Sequence, residues 1–87
     1  MSKPKLPEVE ERKLGRHKAH GLWWPGGKIE IDPRVKGRRR LEVLIHEFMH
    51  DRQPHWTEEH VTQEAEVMAR FLWKHGVRTL DTLPARK

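Results

Sequence analysis

Apolar residues in this chain change their spacing near residue 38, and that change divides the predicted elements. Before it, apolar positions come in short groups. The stretch from Val9 to Leu22 is mixed and broken by Gly15 and Gly21, which predicts two short strands over 9–14 and 18–24. Pro25-Gly26-Gly27 is a turn signal. Lys28-Ile29-Glu30-Ile31-Asp32 then alternates polar and apolar, the pattern of a half-buried strand, and Asp32-Pro33 closes it. A tight turn followed by alternation predicts that 18–24 and 28–32 pair as a hairpin.

From Arg38 to about Asp51 the period becomes helical. Leu41, Leu44, Ile45 and Phe48 fall on one stripe, and Gln53-Pro54-His55 ends the helix in a loop. Thr57 is a good N-cap for a second helix, with Glu58 and Glu59 in the first turn where the helix dipole favours negative charge. Val61, Ala65, Met68 and Leu72 share a face of that helix, and Gly76 suits its end. Strands followed by two antiparallel helices predict a small α+β domain, with an antiparallel sheet of two to three strands and both helices on one face. Residues 1–8 read as a loose lead-in and 79–87 as a frayed tail, leaving one domain over 1–87.

Size and composition sharpen the picture. At 87 residues the chain buries a modest core, and such domains often need a staple. With no cysteine, disulfides, thiolate zinc sites and iron–sulfur clusters are excluded, so any metal must be held by His, Asp or Glu. There are 18 basic and 13 acidic residues. The net charge of +5 is a moderate excess that an ordinary surface can carry. No apolar run is long enough for a signal peptide or a membrane span, which sets the expected location as the cytoplasm.

The candidate chemistry lies on the first predicted helix. His46 and His50 are one turn apart, so both imidazoles project from one side and can share an ion. Neutral imidazole suits Zn²⁺. Glu47, one residue on, is placed to reach a water at the metal and take its proton. The bland alternative is two histidines and a glutamate on a solvated helix face. A catalytic zinc usually has three protein ligands, so a third is expected from the second helix. With Val61, Ala65, Met68 and Leu72 inward, Glu58 and Glu64 flank the inner face while Glu59 and Glu66 point outward. A chain turning near Pro54 brings the start of the second helix opposite His50. That favours Glu58, with Glu64 in reserve and His55 and His60 as weaker candidates.

His46-Glu47-Phe48-Met49-His50 resembles the zincin signature. The strand Gly27 to Arg34, the stretch Lys36 to Ile45, and the segments Thr57 to Val61 and Ala69 to Trp73 are similar to short phage and bacterial zinc metallopeptidases, distantly like SprT-like and ImmA-type proteins. The resemblance covers roughly residues 14–78 and implies a minimal gluzincin, in which a Glu after the motif completes the zinc site. It does not separate Glu58 from Glu64. It also implies an edge strand above the motif helix that pairs with extended substrate, and Lys28 to Asp32 is the matching segment. Some zinc peptidases steady the transition state with a Tyr. This chain has none, so His17, His20 or His75 is the candidate donor, His20 the preferred one.

The expected function is a zinc-dependent hydrolase, a metallopeptidase acting on peptide or protein through Glu47 as general base. Two alternatives stand beside it. One is a zinc-stabilised binding domain without turnover. The other is a basic nucleic-acid-binding module, or a weak acidic contact, through Arg38, Arg39 and Arg40. A solvated helix start is the plainer reading of that basic run. Trp23-Trp24 could form a substrate-facing aromatic patch, though such a pair more often has one ring buried and one exposed.

Overall fold

The structure is a computed structural model and describes residues 4–15 and 20–79. Three short strands, β1 (Glu8–Glu11), β2 (Gly21–Trp24) and β3 (Lys28–Ile31), precede two helices, α1 (Gly37–Arg52) and α2 (Glu58–Lys74). This is the expected α+β order. Residues 1–3 of the lead-in, the start of the strand expected over 18–24, and residues 80–87 of the tail lie outside the described residues.

β2 and β3 form the anticipated antiparallel hairpin, with Trp23 opposite Ile29. Gly27 N–H donates to Trp24 O at 3.2 Å across the turn. Pro25 and Gly26 are its central residues, and Gly26 takes φ 103°, which a type II turn requires at its third position. The sheet is not wholly antiparallel, however. Its order is β1-β3-β2, and β1 runs parallel to β3, with Val9 beside Ile29 and Glu11 beside Ile31. β1 and β2, consecutive in the chain, are therefore not neighbours in the sheet, and a lane lies between them. β3 fills that lane. Alternation assigns residues to faces; it does not say which strands are neighbours.

One sheet face packs on α1. Ile29, Ile31, Val35 and Val43 are buried there, with Val9 and Leu44 packed alongside. Leu41 is also buried, but Leu44, Ile45 and Phe48 of the expected stripe are only half-buried. The deepest face of α1 instead carries Arg40, Val43 and Glu47. Arg40 is 1% exposed. Its guanidinium meets Glu11, 3.3 Å away on the inner face of β1, and donates to Val35 O. The register of β1 therefore turns one cation of the basic run inward. α2 buries Val61 and Ala65 of its expected inner face, and Ala69 beside them, while Met68 and Leu72 of that face are half-buried. Its Thr57 cap forms, the hydroxyl accepting from His60 N–H at 3.1 Å.

Asp32, just past β3, ties the loops together. Its carboxylate accepts from Leu14 N–H at 2.9 Å and from the backbone and guanidinium of Arg34. The Arg34 hydrogen bonds, then that from Leu14, hold its carboxyl well below the usual carboxylate range. On the outer sheet face Glu30 is buried beneath its partners, accepting from Trp24 Nε1 at 2.7 Å and Arg12 Nη1 at 3.1 Å. Of the tryptophan pair, Trp24 is thus the outer ring and Trp23 the inner.

Candidate metal centre

The helix pair brings three donors to one point. His46 and His50 leave α1 on the same side, their ring centroids 4.9 Å apart. Their Nε2 atoms are separated by 3.2 Å. The short loop through Pro54 returns the chain so that Glu58, the first residue of α2, faces them. Glu58 Oε1 lies 2.6 Å from His46 Nε2, and Oε2 lies 2.8 Å from His50 Nε2. Among the described residues these three form a group with donor atoms within 4.8 Å of one another. Glu64 is half-buried farther along α2 and lies outside the group.

No protonation state gives all three contacts an unshared hydrogen bond. Each Nε2 carries at most one proton. With both protonated, the nitrogen–nitrogen contact has two donors and no acceptor. With one protonated and Glu58 ionised, a bare nitrogen faces a carboxylate oxygen; a protonated Glu58 supplies that proton but leaves the single imidazole N–H shared between two acceptors. A cation among them would take a lone pair from each of the three side chains. Two imidazoles and a carboxylate are ligand types that zinc accepts. The 3.2 Å between nitrogens is close to the ~3.3 Å edge of a tetrahedron with donors about 2.0 Å from its centre. The carboxylate contacts are shorter, at the length of charge-assisted hydrogen bonds. By chemistry and by nitrogen spacing, the donor set fits zinc.

Glu47 sits beside this group and under β2. It is 8% exposed. Burial pushes its carboxyl up to about 7, and the negative charge of Glu58 adds to the shift. Gly21 makes this proximity attainable: a Cβ there would stand 2.6 Å from Val43 Cγ1 and 3.2 Å from Glu47 Cγ. Strand and helix touch because the residue between them has no side chain.

Two cavities meet at Glu47. One, of ≈ 410 Å³, is lined by Leu22, Trp23, His46, His50 and Glu58. The other, of ≈ 210 Å³, is lined by His20, Arg39, Glu42, His46 and Thr62. Both include Gly21, His46 and Glu47, so a cleft runs along β2, with all three donors lining its larger part. The segment 28–32, expected to meet substrate, does not border it. β3 is central and paired on both edges, whereas among the described residues β2 has one edge unpaired, and it lines both cavities.

The other histidines are dispersed. His20 borders the smaller cavity. His60 packs edge-on against Trp56, and His75 lies tilted against Phe71. His55 is exposed in the loop between the helices, and His17 lies outside the described residues. Of the basic run, Arg40 is buried and Arg39 pairs with Glu42 at 2.9 Å, while Arg38 is exposed. Sequence reasoning passed over Gly21 and Asp51. Asp51 accepts a hydrogen bond from Trp23 Nε1 at 3.0 Å. The one signal for it in the sequence is an acidic residue in the last turn of a helix, where the dipole disfavours it. Comparison with family models, with curated proteins and with solved structures finds no match. The likeness to zincins therefore rests on the motif and its surroundings in this chain.

Proposed function

We propose that this chain is a cytoplasmic zinc-dependent peptidase, with His46, His50 and Glu58 holding the metal and Glu47 acting as general base. The observation that carries this reading is the convergence of the three donors beside a buried carboxyl in the lining of an open cleft. When bound, a zinc ion supplies Lewis acidity, polarising a carbonyl and activating water at neutral pH. The rest is work for the chain's own residues. β2 offers its unpaired edge to an extended peptide, holding the scissile bond in the cleft through main-chain hydrogen bonds. Glu47 takes a proton from the attacking water and delivers it to the departing amine. Its burial supports that role, because a carboxyl shielded from bulk water is a stronger base than a solvated one. His20, at the end of β2, is the candidate donor to the developing oxyanion.

The openness of the site favours turnover over a purely structural metal. A closed structural centre needs four protein ligands. Among the described residues the group has three, and the side chain of Glu58 is 70% exposed. The test is Glu47→Gln. The variant should retain zinc at the wild-type stoichiometry and lose hydrolysis of a peptide library. Loss of zinc, or full activity without the carboxylate, would overturn the assignment.

A further inference from the structure

We propose that Trp23 and Asp51 form a clamp that sets the orientation of the His50 ring, and that this clamp is a determinant of metal affinity. The inference rests on the reading of His46, His50 and Glu58 as metal ligands. Trp23 projects from β2 toward α1, opposite Ile29 on the inner face of the sheet. Its ring lies nearly parallel to that of His50, with an interplanar angle of 27° and centroids 6.4 Å apart. His50 also meets His46 edge-on, at 65° with centroids 4.9 Å apart. His50 thus has both an indole and an imidazole as ring neighbours, and a rotation that turned Nε2 away from the donor group would disturb both contacts.

The indole is itself fixed. Trp23 Nε1 donates to Asp51 Oδ1 at 3.0 Å, between residues 28 apart in sequence. Asp51 directly follows His50 in the last turn of α1, so the bond ties the strand to the helix one residue from a ligand. A carboxylate near a helix C-terminus works against the dipole. Its acceptance of the indole N–H gives that residue a role the helix alone does not. Both Trp23 and the three donors line the larger cavity, so the same bond ties a wall of that cavity to the end of α1. Trp23 and Asp51 are positioning residues. They act through His50 and hold no metal.

Groups that orient a metal-bound histidine typically change affinity by about 10–100-fold when removed. The test uses Co²⁺ as probe, read by its visible absorption and by competition with a chelator of known affinity, on the full chain. Asp51→Ala should weaken Co²⁺ binding by about 10-fold or more and alter the absorption envelope. Asp51→Asn keeps an acceptor oxygen for the indole and should bind within about 3-fold of wild type. Trp23→Phe, which keeps a ring and loses the donor, should fall between them. Melting of the metal-free proteins is recorded in parallel. If Asp51→Ala lowers only that melting temperature, and the folded variant binds Co²⁺ with wild-type affinity and spectrum, the clamp is structural and the inference is overturned. Equal losses in Asp51→Ala and Asp51→Asn would overturn it as well. If wild-type protein binds no Co²⁺, the reading of the metal centre fails and takes the clamp with it. Binding by wild type with no difference among the variants removes the clamp alone.

Discussion

Gly21→Ala probes the contact on which the cleft depends. The added methyl would stand 2.6 Å from Val43 Cγ1, 3.2 Å from Glu47 Cγ and 3.3 Å from Glu30 O. Carbon atoms rest at about 3.5–4.0 Å. Either β2 and α1 separate by roughly 1 Å, or Val43 leaves its rotamer inside a packed core. Overpacking of this kind costs about 1–3 kcal/mol. At about 4–8 °C per kcal/mol for a domain of this size, the melting temperature should fall by roughly 10 °C. Val43→Ala alone should cost about 2 kcal/mol through the cavity it leaves. In the double variant that cavity accepts the new methyl, so the two losses should not add, with a coupling of about 1–2 kcal/mol in favour of the pair. Thermal and urea unfolding of all four proteins in chelator measures this without a contribution from bound metal. Hydrolysis by the zinc-loaded proteins should follow, because a displacement of about 1 Å can cost as much as 10²-fold. A Gly21→Ala protein that melts with wild type, or losses that simply add, would refute the close approach.

Three further outcomes test other parts of the structure. The folded-state pKa of Asp32 lies below its unfolded value, so its stabilisation is present above about pH 4 and fades as the pH falls through the native titration. Asp32→Asn should cost about 2 kcal/mol at pH 7 and flatten the acid limb of a stability–pH profile from urea unfolding; an unchanged limb would contradict this. Arg40→Ala strands Glu11 and should cost about 3 kcal/mol by denaturant unfolding, whereas Arg40→Met with Glu11→Gln should recover most of it. Equal losses in the single and double variants would rule out the pairing. Glu58→Ala should weaken zinc binding by at least about 10-fold in a chelator competition, while Glu64→Ala should leave it within about 2-fold; the reverse order would reassign the third ligand.

Local signals carried much of the fold. Thr57, the alternation from Lys28 to Ile31 and the Pro25-Gly26-Gly27 turn each act through near neighbours, and each element formed where its residues indicate. The convergence of His46 and His50 was legible for the same reason, since one helical turn dictates where the two side chains point. Glu58 needed only the geometry of a short loop. What sequence could not reveal depends on pairing across the chain. The parallel register of β1 sets Glu11 facing inward, and only that fact explains why Arg40 is buried. The central place of β3 decides that β2, not 28–32, borders the cleft. Leu44, Ile45 and Phe48 have a core-like spacing, yet they sit half-buried in an apolar recess with Leu6 and Pro7 because the sheet underneath is narrow. Trp23 and Asp51 meet only once strand and helix have docked.

The central claim is that His46, His50 and Glu58 hold one zinc ion. An anomalous difference map recorded at the zinc edge from crystals of zinc-loaded protein tests it most directly. The expected result is a single strong peak per chain, about 2.0–2.2 Å from both Nε2 atoms and from a Glu58 oxygen. A peak held by other residues, or none between the two helices, would contradict the account.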